Sequence, residues 1–306
     1  MNDPGPTVPT VSPQDPGRTE APDRTQAPDR TQDPGRRGIS GGDRDRDRGR
    51  RHTRYFLRWA RAASPVHLGA DTDMTRVAEH REAARAAGRR YSYVTYLLHA
   101  AARVVAAHPE ARALAAGVLR PRTVPLPGPG VSAKLALDAA GPGGARAVRT
   151  VVLPRLDTLP LDGVQDLVDR YRDAAPHELP GAEGIRMLCG LPPPVGELVF
   201  RYGVRGPAAR ARLLGTFAVS ALGHRAVDTF HSYGGTAVTF CVTRVTDRAV
   251  VRGGQVRVAP VMRLGLTFDH RVLDGAAAAD VLDGVVMRLE GRHGDLPGPC
   301  DEPAYD

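Results

Sequence analysis

One histidine of this sequence stands where a side chain could carry out proton chemistry. His270 lies in the segment Asp269-His-Arg-Val-Leu-Asp-Gly275, after an apolar run over 261–268 and before an Ala-rich run over 275–289. The first run predicts a strand, and the second, apolar on one face, predicts a helix. A rigid strand end fixes an imidazole while the connection leaves it accessible. His270 is therefore a candidate active-site residue, with a packed core histidine as the alternative.

The elements that must position His270 can be predicted from periodicity and capping. From residue 54 to 292 the pattern favours a single α/β domain, in which Asp274 and Asp162 are candidate helix N-caps. The predicted helices are 75–89, 93–107, one from Asp162, and 275–289; the predicted strands include 131–137, 216–220, 236–245 and 261–268, with a hairpin at Gly253-Gly254 and a Pro-rich connection over 191–196.

The two ends of the chain have a different composition from the middle. Residues 1–53 contain an imperfect six-residue repeat rich in Pro, Arg and Asp, and few large apolar residues. Such a segment cannot offset the entropy of ordering by burial, so a disordered tail is predicted. Residues 293–306 are predicted to be a polar C-terminal tail.

Charge and cysteine content exclude several classes of protein. The net charge is +8, but the positive residues are almost all Arg, are scattered, and usually have Asp or Glu nearby, which argues against nucleic-acid binding. Cys189, Cys241 and Cys300 fit neither a disulfide framework nor a metal site. Without an apolar leader or a membrane-length apolar run, a cytoplasmic location is expected.

Several blocks together resemble the catalytic domain of dihydrolipoamide acyltransferases, the core enzymes of 2-oxoacid dehydrogenase complexes. The segment Leu266-Thr-Phe-Asp-His-Arg-Val-Leu-Asp-Gly-Ala-Ala-Ala-Ala279 is similar to the family signature, which contains His-x-x-x-Asp-Gly. Gly215-Thr-Phe-Ala-Val-Ser-Ala-Leu-Gly223 resembles a second block, and Ser92 to Glu110 a third. The resemblance implies the fold of chloramphenicol acetyltransferase, an α+β two-layer sandwich with helices on one face of a mixed sheet.

The resemblance also implies a mechanism without a permanently bound cofactor, in which acetyl-CoA or another acyl-CoA is a co-substrate. His270 matches the base that deprotonates the acceptor, and Ser220 matches the donor of a hydrogen bond to the tetrahedral oxyanion. Asp274 matches a residue that holds the histidine loop through a salt bridge, for which Arg54, Arg58 and Arg61 are equal candidates.

For Ser220 and Asp274, simpler interpretations remain open beside these roles. Ser220 could be an ordinary strand serine, and Asp274 could be a helix N-cap alone or in addition. Thr239, on a neighbouring strand, is better explained as a β-forming residue.

The sequence departs from the family on the side of the acceptor. The family's Pro-Gln-Ala segment is replaced by His231-Ser-Tyr-Gly-Gly-Thr-Ala-Val238, and no lipoyl domain with an Asp-Lys-Ala hairpin is recognised, Lys134 being the only lysine. We therefore expect a stand-alone O-acetyltransferase that acts on a small-molecule hydroxyl, as in tetronate-type antibiotic biosynthesis. Active sites at the interfaces of a homotrimer are expected, and no membrane or nucleic-acid partner.

Two alternatives of other kinds remain. The first is a dihydrolipoyl acyltransferase core that acts on lipoyl domains supplied by another chain. The second is a non-catalytic assembly protein with the same fold.

Overall fold

The computed structural model describes residues 48–292 except 118, 119, 121, 129 and 141–145. Most of the tail predicted over 1–53, and all of the tail predicted over 293–306, lie outside the described residues. Helix α1 begins at Arg51, so the last residues assigned to the first tail belong to an ordered helix.

Six strands form one mixed sheet in the order β1-β8-β7-β6-β4-β5. Its neighbours are antiparallel except β4–β6 and β6–β7, which are parallel. The strands are β1 Pro65–Asp73, β4 Ala133–Ala140, β5 Arg146–Leu153, β6 Phe217–Ala221, β7 Val238–Arg252 and β8 Gln255–Asp269, and a separate two-stranded sheet pairs β2 Ala113–Ala116 with β3 Arg122–Pro125. Strand β6 thus lies beside β7, two places from the strand that ends before His270.

The hairpin between β7 and β8 forms at the predicted place. Arg252 pairs with Gln255, and the two residues between them, Gly253 and Gly254, have φ angles of 57° and 77°. Glycine adopts these positive angles without the steric cost that a side chain brings, as the twist of a two-residue hairpin requires. The short strands predicted on either side fuse into two long strands of 15 residues each.

The helices over 75–86, 93–107, 161–173 and 275–289 form the core with one face of the sheet, which confirms the predicted fold class. The helices are α1 Arg51–Ala60, α2 Thr75–Ala86, α3 Tyr93–Ala107, α4 Leu161–Asp173, α5 Ala182–Gly190, α6 Pro193–Gly203, α7 Pro207–Leu214 and α8 Gly275–Leu289, with a 3₁₀ helix at Pro109–Arg112. Helix α3 packs against α8, where Gly284 would bring an added Cβ within 3.2 Å of Val104. None of the helices described is both long and apolar enough to cross a membrane.

Helix α3 occupies the centre of the core, as its apolar face predicts. Leu97, Ala101 and Val105 are fully buried, and the helix begins at an N-cap, Ser92, whose Oγ accepts a hydrogen bond from the Thr95 backbone N at 3.1 Å. This cap satisfies one of the free N–H groups at the start of a helix.

Two predictions about helix starts were wrong. Asp162 does not cap α4, whose N-cap is Pro160; its carboxylate instead accepts hydrogen bonds from Arg89 and from the Tyr91 hydroxyl. The Pro-rich segment is not a plain connection, because α6 begins at Pro193. Proline suits the first turn of a helix, where its missing N–H would have no partner in any case.

The sheet face opposite the core carries polar side chains. Val238, Phe240 and Val242 of β7 join the core, so the alternating Thr239 and Cys241 point away from it. Both are nevertheless buried. A further layer of chain therefore covers part of this face.

Candidate active site

His270 follows immediately after the last residue of β8. Its backbone N donates a hydrogen bond to the Ser64 carbonyl O at 2.9 Å, and its side chain remains 48% exposed. Three residues further on, Leu273 is buried in the core. The buried leucine and the backbone bond hold the loop on both sides, while the imidazole stays accessible to a reactant.

The loop is anchored by Asp269, a residue that the sequence analysis did not single out. Asp269 is 2% exposed and accepts hydrogen bonds from Arg271 Nε and Nη2 at 2.9 and 2.5 Å and from the Tyr233 hydroxyl at 3.1 Å. The Ser64 backbone N lies 3.3 Å from the same carboxylate. In the sequence, the feature that could have indicated this anchor is an aspartate directly before the histidine and an arginine directly after it.

Burial and hydrogen bonding have opposite effects on the pKa of the Asp269 carboxyl group. Burial raises the pKa of the Asp269 carboxyl, but hydrogen bonds from the Arg271 side chain and backbone and from Ser64 outweigh burial, so that the pKa is lowered overall. The same contact raises the pKa of Arg271. Burial and the neighbouring Asp269 charge raise the pKa of Tyr233, which keeps its hydroxyl protonated as a hydrogen-bond donor.

Asp274 occupies the N-cap position of α8, but its side chain does not act as a cap. Its side chain is 91% exposed and makes no capping hydrogen bond. Its Oδ1 lies 3.7 Å from His270 Nδ1, a distance beyond hydrogen-bonding range but within that of an ion pair with a protonated imidazole. Arg58, one of the three arginines proposed to pair with Asp274, instead binds Glu197 Oε2 at 2.5 Å.

Ser220 lies on β6, on the face opposite the helical layer. Its neighbour Val219 is buried in the core, whereas Ser220 is half-buried and pairs in register with Ala136 of β4 and Cys241 of β7. Thr239, on the same face, accepts a hydrogen bond from the Gly234 backbone N at 2.9 Å. Thr239 therefore holds the chain that crosses this face.

The structure does not bring Ser220 and His270 of one chain together. Ser220 is in register with Cys241, which pairs with Gly265, and His270 lies five residues beyond Gly265. With about 4.8 Å between strands and about 3.3 Å per residue, the Cα atoms of the two residues are roughly 19 Å apart along the sheet. A hydroxyl and an imidazole at that separation cannot act on the same reacting atom.

The crossing segment, residues 230–235, contacts several side chains at the Ser220 face of the sheet. Lys134 Nζ donates a hydrogen bond to the Gly234 carbonyl O at 3.0 Å and lies 4.3 Å from the centroid of the Phe56 ring, and burial lowers its pKa to about 8. At the other end of the segment, the rings of His231 and His67 stack with centroids 4.3 Å apart. The segment that replaces the family's Pro-Gln-Ala motif is thus packed onto the sheet.

Beneath this segment lies a cysteine with no exposed surface. Cys241 is 0% exposed, and burial raises the pKa of its thiol to about 11. A protonated, enclosed thiol is a poor nucleophile, so Cys241 is a packing residue.

Comparison with known proteins gives a sequence match at the end of the chain that contains Ser220 and His270. Residues 214–293 match the family described as 2-oxoacid dehydrogenases acyltransferase (catalytic domain). The acetyltransferase component of the pyruvate dehydrogenase complex of Bacillus subtilis is 43% identical over 48 residues, which are 16% of this chain and 11% of that protein. The bovine mitochondrial succinyltransferase component of the 2-oxoglutarate dehydrogenase complex is 44% identical over 46 residues, 15% of this chain and 10% of that protein.

Solved structures extend the likeness in fold to most of the chain. A probable dihydrolipoamide acetyltransferase from Listeria monocytogenes superimposes with a TM-score of 0.58 at 15% identity, covering 85% of this chain and 96% of that one. The cubic core of a pyruvate dehydrogenase multienzyme complex gives a TM-score of 0.58 at 19% identity, covering 82% and 89%. Residues 214–293, which contain Ser220 and His270, are thus similar in sequence to this acyltransferase family, and the chain has the fold of the two acyltransferase structures.

Proposed function

We propose that this protein transfers an acetyl or other short acyl group from coenzyme A to a hydroxyl group of a small molecule. The observation that carries the proposal is the half-exposed imidazole of His270, at the end of β8, in a loop fixed by the buried Asp269 carboxylate. A base needs this combination of accessibility and rigid placement.

The proposed reaction is a direct transfer. The neutral imidazole of His270 takes the proton of the acceptor hydroxyl while the hydroxyl oxygen attacks the carbonyl carbon of the thioester. The resulting oxyanion accepts a hydrogen bond from the Ser220 hydroxyl. When the tetrahedral intermediate collapses, the carbon–sulfur bond breaks and the proton on His270 passes to the departing thiolate. Free coenzyme A and an O-acyl ester are the products.

The two side chains can meet only if they come from different chains, because the Cα atoms of the two residues in one chain are roughly 19 Å apart. We therefore propose that each site forms between two copies, with His270 from one and Ser220 from its neighbour. Copies that contact head to tail close into a ring, and a homotrimer with three equivalent sites is the arrangement we propose. The trimeric arrangement implied by the family resemblance supports this proposal.

The acceptor is the finer part of the proposal. The segment around His231 differs from the family's motif and packs on the sheet face that carries Ser220, which supports an acceptor other than a lipoyl group. A hydroxymethyl group on a tetronate-type ring is our specific candidate. Dihydrolipoyl thiol is the second candidate, favoured by the curated relatives, which are dihydrolipoyllysine-residue acyltransferases.

An acceptor panel separates these candidates. Purified protein is incubated with acetyl-CoA and either a hydroxymethyl tetronate or dihydrolipoamide, and mass spectrometry detects the acetylated product. We expect the O-acetyl ester. Formation of S-acetyl-dihydrolipoamide alone would assign the second candidate, and no acetylated product with either acceptor, from a folded protein, would point to a non-catalytic role.

A further inference from the structure

A cleft of about 720 Å³ opens beside the proposed active site and is lined by an unusual set of cations. It lies between α1, the β2–β3 pair and the loop that follows β8. Five arginine side chains line it: Arg58, Arg122, Arg201, Arg210 and Arg271. One wall is built of the small residues Ala115, Ala116 and Gly117, which leave room for a ligand. This set of residues is called the arginine cleft below.

Carboxylates balance only part of the positive charge in the arginine cleft. Glu197 binds both Arg58, at 2.5 Å, and Arg201, at 3.0 Å, while Asp269 binds Arg271 at 2.5 Å. Within the part of the chain that the structure describes, these are the ion pairs formed by the five arginines. The cleft therefore holds more guanidinium than carboxylate charge and attracts anions.

Arg210 shows that the cleft is organised before any ligand arrives. Its Nε donates to the Val204 carbonyl O at 2.7 Å and its Nη1 to the Ala115 carbonyl O at 2.9 Å, and its guanidinium lies 5.1 Å from the centroid of the Trp59 ring. Burial lowers the pKa of Arg210, which reflects partial loss of water around the guanidinium. Two bonds to neutral carbonyls fix the group in place and leave N–H donors for an oxyanion.

The cleft is adjacent to the proposed base. Arg271 follows His270 in the chain, so their Cα atoms are about 3.8 Å apart. The Arg271 carbonyl O also accepts a hydrogen bond from Thr123 Oγ1 of β3 at 3.5 Å, which joins the cleft wall to the histidine loop. A ligand in the cleft would therefore lie beside a group being acylated.

We propose that the arginine cleft is a binding site for a phosphate or carboxylate group of a substrate. Guanidinium groups recognise such oxyanions through paired, charge-assisted hydrogen bonds, and prior fixation of Arg210 and Arg271 reduces the entropy lost on binding. The anion belongs either to the phosphates of coenzyme A or to an acidic group on the acceptor. The cleft can be a substrate subsite only if the protein carries out the proposed acyl transfer. Binding of an anion in the cleft does not depend on that function.

Inorganic pyrophosphate tests the anion site directly. Trp59 is the chain's single tryptophan and lines the cleft, so its emission reports binding there while calorimetry gives the affinity. We expect saturable binding that weakens as salt rises, because screening reduces charge attraction. Arg122→Gln and Arg210→Gln should each weaken it at least about tenfold through the loss of a charged hydrogen bond. Circular dichroism must show that both variants are folded.

Arg257→Gln is the matched control, because Arg257 lies on the β7–β8 hairpin at the far end of β8 from Asp269 and its removal changes net charge equally. Equal pyrophosphate affinity in all three variants, or no binding by the wild type, would overturn the proposal.

Comparison of coenzyme A with pantetheine, which has the same thiol arm without the nucleotide, then identifies the source of the anion. If Arg122→Gln abolishes the higher binding affinity for coenzyme A than for pantetheine, the cleft binds the phosphates of the acyl donor. If it weakens pyrophosphate but leaves coenzyme A unchanged, the cleft serves an acidic acceptor. Pyrophosphate binding without acyl transfer would refute the proposed function alone.

Discussion

The position of His270 depends on groups on either side of it in the chain. Asp269, which is buried, and Arg271, which is partly exposed, form an ion pair around it, and the backbone of Ser64 fixes the strand end. These contacts leave the imidazole itself unencumbered apart from Asp274. We therefore expect that substitution of the His270 side chain leaves the loop intact.

The substitution His270→Ala should reduce kcat for acyl transfer by about two to four orders of magnitude, because a positioned general base contributes that much. Release of the coenzyme A thiol measures the rate, and thermal unfolding should be nearly unchanged. His177→Ala, at an exposed histidine between α4 and α5, is the control and should keep full activity. Activity of His270→Ala within threefold of the wild type would refute His270 as the base.

Ser220→Ala should lower kcat by about a hundredfold, as the loss of a single oxyanion donor does in other enzymes. KM should change little, because the oxyanion exists only near the transition state. Steady-state kinetics on the folded variant separate the two constants. An unchanged kcat would leave Ser220 as a strand residue with no catalytic part.

Asp269→Asn should lower the free energy of unfolding by about 2 kcal/mol at pH 7, since Arg271 loses its charged partner. The carboxyl's pKa is below its usual 3.8 in the folded protein, so the folded state binds fewer protons than the unfolded state near that pH. The stabilisation is thus complete above pH 3.8 and is lost as the pH falls through the lower, folded value. Urea unfolding at several pH values should show the gap between the proteins closing in acid; a constant gap would contradict the argument.

The sequence predicts the site residues unevenly, for a physical reason. His270, Ser220 and Asp274 stand in recognisable motifs, whereas the importance of Asp269 comes from its 2% exposure and its bonds to Tyr233, 36 positions away. Burial and distant partners are properties of the folded chain. From the sequence, an aspartate before a histidine indicates neither its burial nor its distant hydrogen-bond partners.

At the scale of elements, the strand that carries Ser220 starts from a sterically constrained turn. Gly215 has a φ of 72°, and a Cβ there would meet the Ser132 carbonyl O at 2.8 Å and the Lys134 N at 3.0 Å. Both contacts are backbone atoms of or beside β4, the parallel neighbour of β6. Any side chain at this position would force the two strands apart.

Gly215→Ala should therefore destabilise the protein by several kcal/mol, about 1 kcal/mol of it from the positive φ and the rest from the clash. Gly254→Ala is the matched control, because its φ is 77° but no atom lies within 4 Å of the added Cβ. It should cost only the conformational part, about 1 kcal/mol. Equal losses in thermal or urea unfolding would show that the clash with β4 is relieved without cost.

Helices that bury a large apolar face in the core were predictable, and helices that bury little were not. Helix α3 has ten buried residues and an N-cap serine, and its bounds agree with the prediction. Helix α1 buries only Tyr55, and α6 only Gly196; the apolar residues that α6 has at helical spacing, Val195, Leu198, Val199 and Tyr202, remain exposed. Their positions follow from contacts with each other and with α5, which local sequence does not encode.

At the scale of the whole molecule, the proposed reaction requires association, because Ser220 and His270 of one chain are far apart. Light scattering should give a mass near three times 32.7 kDa. Mixing the inactive variants His270→Ala and Ser220→Ala should restore part of the activity, because some interfaces then pair an intact histidine with an intact serine. An active monomer, or no recovery after subunit exchange has been demonstrated, would refute the shared site.

The rate at which a reagent labels the enclosed thiol of Cys241 can report local opening of the structure around it. With its pKa near 11 instead of 9, the thiolate is about a hundredfold scarcer than for an ordinary cysteine, and β7 is flanked by β6 and β8. In a chain carrying Cys300→Ser, a thiol reagent can reach Cys241 only when the covering segment, residues 230–235, lifts from the sheet, so its labelling rate records that opening. Cys189 on α5 is 9% exposed and faces the Gly49 carbonyl O, outside the sheet. The two labelling rates, measured in one sample, would therefore report the opening around α5 and the lifting of residues 230–235 separately.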